Sequence, residues 1–313
     1  MSLLVAGSLA GARAQAVPNP VENIDFVVTF GAQADKSWGD DDFTQTFFFM
    51  VPQASRQPLY LRVFDPDCGG KFDEAKSGWN TRTDFSVYGG KGCYSGPDAR
   101  KTEPVGAYRS GILLKHKTFG LDPTYDGQWY TFGPLNPLEG ERVAEFEGYV
   151  FKLIAQGQQG DDGNLYRYFL SSSPTQNVPV EGGNAFTYEY CFRLKGENGT
   201  QTHLYPFVND RVVSIKQSNF DADADATLTV FSVAKNGHAA AVSGDKEWRS
   251  SSFPIVKEEQ GLSLDLRLLN RSRAVNDMVF YVTDQYDTAL PFFAVPLGGP
   301  PKFRYQVEVK IRK

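Results

Sequence analysis

Histidine, cysteine and methionine are all scarce in this chain of 313 residues, with three of each. Three histidines (His116, His203 and His238) limit zinc sites and Ser/His/Asp arrangements. His-Glu-x-x-His, Gly-x-Ser-x-Gly and a phosphate-cradling glycine loop before a helix are missing altogether. Gly89-Gly90-Lys91-Gly92 follows a strand-like segment with no helix after it, so it reads as a turn. A basic excess is missing too. Lys and Arg number 32 against 37 Asp and Glu, a formal charge of −5 with both signs interspersed. This gives no electrostatic reason to expect nucleic acid or an anionic membrane as partner. No apolar run after Val17 approaches the roughly 20 residues of a transmembrane helix. The closest, Phe47 to Val51, is strand-sized. No catalytic residue can be nominated from these patterns.

The chain opens on a short apolar stretch, Leu3 to Ala12, followed by Ala14-Gln15-Ala16, the small-x-small pattern of a signal-peptidase site. Residues 1–16 therefore read as the remnant of a secretory signal, with Val17-Pro18 beginning the mature chain. The expected location is secreted or periplasmic.

What is abundant is aromatic, with 24 Phe, 15 Tyr and 4 Trp, a bias suited to pleated sheets. Period-two alternation recurs from end to end and helical periodicity is nearly absent. The clearest run is Leu262-Ser263-Leu264-Asp265-Leu266-Arg267-Leu268; Phe303 to Ile311 and Phe186 to Leu194 repeat the pattern. Turn-formers such as Asp126-Gly127, Asp162-Gly163 and Asn236-Gly237 separate the strands. The expected fold is all-β, with two antiparallel β-sandwich domains of jelly-roll or Ig-like type and little or no helix. Tyr205 to Asp210 is the best linker, giving a large domain over 17–208 and a smaller one over 209–313. A single large sandwich with a decorated edge is the alternative.

Cys68 and Cys93 both sit in glycine-flanked loops, and in an oxidising compartment they are expected to form a disulfide. Cys191 is left over. Two acidic loops offer the hard oxygens that Ca²⁺ takes. One holds Asp65, Asp67 and Asp73; it is not an EF-hand, because the twelfth position is Lys76 and the flanks read as strands. The other is Phe220-Asp221-Ala222-Asp223-Ala224-Asp225-Ala226, which if extended aligns three carboxylates about 7 Å apart on one face. The competing reading of both loops is a solvated acidic turn. Calcium is the one cofactor they suggest. Trp38, Trp79 and Trp248 lie in polar, loop-like contexts, suited to stacking on a sugar or anchoring a protein, or to capping the core.

The runs Leu61 to Asp67 and Asp162 to Leu170 resemble the strand-and-loop pattern of bacterial β-sandwich modules appended to secreted peptidases. That resemblance implies a non-catalytic module. The resulting expectation is an exported binding or structural protein, calcium-stabilised, with a glycan or protein partner. The alternative is a polysaccharide-acting hydrolase or lyase on a jelly roll.

Overall fold

The structure, a computed structural model, describes residues 15–100, 108–273 and 275–298. The all-β expectation holds. Helix among the described residues is confined to 3-10 turns of three residues each. Every strand pairing described is antiparallel.

The first sheet runs, in spatial order, Trp248–Pro254, Ser214–Phe220, Asn276–Asp284, Glu189–Leu194, Val27–Phe30, Gly163–Ser171, Leu59–Phe64 and Trp129–Leu135. Ala16–Val17 also pairs with Gly163–Ser171. The second sheet runs Phe292–Phe293, Asn184–Thr187, Thr44–Pro52, Gly148–Gln159, Arg82–Gly89 and Ile112–Phe119, with Glu141–Val143 added along Gly148–Gln159. A third, four-stranded sheet takes Gln201–Leu204, Asp265–Asn270, Ala226–Phe231 and Asn236–Ala240.

The first two sheets face each other across interdigitating aromatic rings. Phe47 meets Tyr168 and Tyr190 edge-on, at centroid distances of 5.6 and 5.4 Å, and Phe85 meets Tyr166 at 5.1 Å. These are the offset geometries that ring quadrupoles favour. The apolar run Phe47 to Phe49 is continuous because Phe48 is buried as well, on the outer face with Phe186, Tyr94 and Tyr188. Both faces of that strand are covered. The leucine alternation holds for Leu264, Leu266 and Leu268, all buried, and these join Leu228, Val230, Met278 and Phe280 in the same core. Leu262–Ser263 peels off to pair with Phe207–Val208.

Sheet pairing does not stop at residue 208. Glu189–Leu194 pairs with Asn276–Asp284 over six residue pairs, and Phe292–Phe293 pairs with Asn184–Thr187. The run Phe186 to Leu194 itself changes sheet at Tyr188. At the start of the described chain, Ala16 and Val17 pair with Phe169 and Tyr168, and the buried Gln15 side chain bonds Val180 and Gly183. The expected strand Phe303 to Ile311 lies outside the described residues.

The disulfide expectation is corrected: Cys68 and Cys93 are buried and unpaired, as is Cys191. Cys68 contacts Thr81, just before the strand Arg82–Gly89 begins. The Cys93 thiol donates to the Tyr88 carbonyl near that strand's far end. Thr81 and Tyr88 are thus separated by about 23 Å of strand, whereas a disulfide needs its Cα atoms within roughly 7 Å. Equal glycine flanks in sequence conceal opposite ends of one strand.

Candidate functional site

The strand Arg82–Gly89 is preceded by a loop carrying Trp79, and buried Asp162 organises it. Its carboxylate accepts from the backbone N–H of Lys76 (3.2 Å), Asn80 (2.8 Å) and Thr81 (3.1 Å). Asp161 adds bonds to the Asn80 side-chain amide and the Ser77 hydroxyl. On the other side, Asp67 accepts from Asp122 N–H (3.2 Å) and Asp65 from Gly127 N–H (2.6 Å), which fixes the turn after Ile112–Phe119. Between the two loops lies an open groove of about 600 Å³, lined among others by Trp79, Arg82, Lys117, Leu121, Asp122 and Gln159. Gly69 permits the close approach: a Cβ there would sit 2.4 Å from Leu121 Cδ1 and 3.9 Å from Trp79 Cδ2. Lys117 is already engaged, bonded to the Tyr125 hydroxyl (3.0 Å) and held over the Phe119, Tyr125 and Tyr130 rings.

The three loop tryptophans divide. Trp38 meets Phe30 edge-on at 5.7 Å and carries the Lys76 ammonium over its face. Trp248 meets Phe220 (5.2 Å) and Tyr281 (5.0 Å) in tilted contacts, and its indole N–H donates to Asp41. Both cap the apolar cluster around Phe30, Leu165 and Val279. Trp79 has no aromatic partner among the described residues and lines the groove.

In the first acidic loop, Asp65 and Asp67 are buried and Asp73 half-buried, and all three are bonded to backbone N–H groups. Burial pushes Asp65 up to about 7 and Asp67 up to about 6, and raises Asp73 as well; neighbouring Asp122 and Asp126 add to the rise at Asp67. These carboxyls act as loop staples. Buried Asp40 and Asp42 form another such group. Desolvation raises both, Asp42 to about 6, and Asp40 Oδ1 accepts from the N–H of Asp42 and Phe43.

The second acidic loop is not extended. The strand Ser214–Phe220 ends, and Asp221, Asp223 and Ala224 all take left-handed backbone angles (φ 58°, 51° and 56°). The loop is fastened to Ser243, whose hydroxyl accepts from Ala222 N–H and whose carbonyl accepts from Ala224 N–H. With the loop curled, Asp225 still acts on Asp223 but is not among the carboxylates that converge; Asp245 is. Carboxylate oxygens of Asp221, Asp223 and Asp245 lie within 4.8 Å of one another. Among the described residues no other three acidic, histidine or cysteine groups converge in this way. At that separation each fully ionised pair repels by about 3 kcal/mol at an effective dielectric of 20. Desolvation, then Asp223, Asp245 and Asp277, pushes Asp221 up to about 7. Asp245 was missed in sequence because it sits in the turn Ser243-Gly244-Asp245-Lys246, beyond an intervening hairpin.

No protein-family model matches the chain, and the search of curated proteins gives no match. Among solved structures, those of the Gx and Gt strains of infectious bursal disease virus align over 86% and 88% of this chain and 75% and 76% of theirs. Their sequence identities are 10% and 9%, and each TM-score is 0.15. A TM-score that low carries no argument about fold or function.

Proposed function

We propose that this is an exported, non-catalytic binding protein whose all-β scaffold presents the Trp79 groove to a carbohydrate. The carrying observation is that Trp79 alone of the three loop tryptophans has no aromatic partner among the described residues, in a groove that also presents exposed Arg82 and half-buried Asp122. A flat indole receives the apolar face of a sugar ring, while guanidinium, carboxylate and the Gln159 amide suit its hydroxyls. Among the described lining residues, Asp122 is the one carboxylate. A glycosidase needs two acids about 5 to 10 Å apart across such a groove, so the lining favours binding over hydrolysis. Export rests on the apolar opening Leu3 to Ala12 and not on a cut after Ala16, because Gln15 is buried against Val180 and Ala16 pairs with Phe169.

The test is a glycan panel screened by intrinsic fluorescence and followed by calorimetry on each hit. Trp79→Ala is expected to weaken binding by about 10- to 30-fold, the effect of removing an aromatic anchor. Trp38→Phe is expected to leave affinity unchanged. A panel without a hit, or a hit that Trp79→Ala binds as tightly, would refute the reading.

A further inference from the structure

The groove leaves unexplained why three carboxylates converge where the chain could have kept them apart. Asp221 is 0% exposed, and its Oδ1 accepts from Lys246 N–H (2.7 Å). Its Oδ2 is buried without any hydrogen-bond partner, on the residue whose carboxylate meets those of Asp223 and Asp245. A buried acceptor without a donor is costly, and among the described residues the nearby Lys246 ammonium acts on Asp221 and Asp245 without pairing with either. Asp223 and Asp245 form no ion pair among the described residues, and the loop's own ammonium, Lys246 Nζ, is turned to Asp35 at 3.0 Å. We propose that Asp221, Asp223 and Asp245 form a Ca²⁺ site joining the turn after Ser214–Phe220 to the turn before Trp248–Pro254.

The chemistry of the donors selects the ion. All are carboxylate oxygens, hard ligands without histidine or thiol beside them, which suits Ca²⁺ rather than Zn²⁺ or Cu²⁺. Asp223 and Asp245 are exposed, so water completes the shell on the open side. The ligands stand on two irregular turns, and Ca²⁺ tolerates uneven geometry where Mg²⁺ demands a near-ideal octahedron. The ion also ties a two-turn clasp already begun by the Ser243 bonds to Ala222 and Ala224. Trp248 packs against Phe220, the residue preceding Asp221, so its fluorescence reports on the site. This inference stands independently of the Trp79 groove.

The experiment is calorimetric titration of CaCl₂ into the EDTA-stripped full chain near neutral pH, with Tb³⁺ luminescence sensitised by Trp248 as a second readout. One ion is expected to bind with a Kd below about 1 mM, and Mg²⁺ more weakly. Asp223→Asn and Asp245→Asn should each raise the Kd by about tenfold or more, while Asp225→Asn changes it by less than about twofold. Both ligand positions are exposed, and circular dichroism confirms that each variant is folded; if either is not, the other decides. Absence of Ca²⁺ binding at about 10 mM overturns the proposal. So does Ca²⁺ binding that both ligand variants retain, which would place the ion elsewhere.

Discussion

Glu22 shows what burial does to one carboxyl. It is 2% exposed, accepts from Asn19 N–H (2.6 Å) and the Tyr190 hydroxyl (3.2 Å), and faces the titratable groups Tyr190 and Tyr205. Desolvation pushes it from 4.5 to about 8, against the smaller pull of those two hydrogen bonds. The folded state therefore holds this proton more tightly than the unfolded chain does. Its stabilisation is complete below pH 4.5 and is lost as the pH rises to about 8. The Tm of the wild type is expected to fall across that window, and Glu22→Gln to flatten the fall, since an amide keeps the acceptor and carries no charge. Equal slopes for the two proteins in scanning calorimetry would remove Glu22 from the account. None of this was visible in Val21-Glu22-Asn23, which reads as an ordinary polar segment. Residue types announced Asp221 and Asp223 as partners, but burial and the choice of Asp245 over Asp225 follow from left-handed backbone that composition does not encode.

Elements were more legible than residues, and the misses share a cause. Leu59–Phe64, Gly163–Ser171 and Ala226–Phe231 carry a strand signal in their aromatic and β-branched residues, because each lies inside a sheet with a core-facing side. Ile112–Phe119 and Trp248–Pro254 gave no such signal. Both are sheet edges, and their sequences, with Lys115-His116-Lys117 and Arg249-Ser250-Ser251-Ser252, are the polar edges that discourage further pairing. Loops behaved likewise: Asp162-Gly163 reads as a turn between strands, yet Asp162 is the hub of the Trp79 loop. Asp162→Ala strips acceptors from three backbone N–H groups, a loss of about 2 to 4 kcal/mol from unmade bonds to a charged acceptor. Urea unfolding should show that loss, and glycan affinity should fall with it as Trp79 loses its anchorage. Stability within about 0.5 kcal/mol of wild type would mean that the loop is held by other contacts.

At the scale of the whole molecule, alternation told the sheet content but not which strands share a sheet, because local pattern carries no information on partners as far apart in sequence as Ala16 and Phe169. The sequence suggested a boundary between 208 and 209, where a turn precedes a fresh series of strands. In the structure the first sheet crosses that point. Cutting there unpairs Glu189–Leu194 from Asn276–Asp284 across six residue pairs, and exposes Tyr190, Phe192, Met278 and Phe280, all buried in one continuous core. It also strips Phe292–Phe293 from the edge of the second sheet. Each piece would carry an unpaired apolar edge, the condition under which strands aggregate rather than fold. The intact chain is accordingly expected to melt in one transition, with calorimetric and van't Hoff enthalpies in agreement. Fragments 17–208 and 209–313 should each lack a cooperative transition alone. Two resolved transitions in the intact chain, or a cooperative melt of fragment 209–313, would instead make the sheet crossing a docking contact between two domains that fold separately.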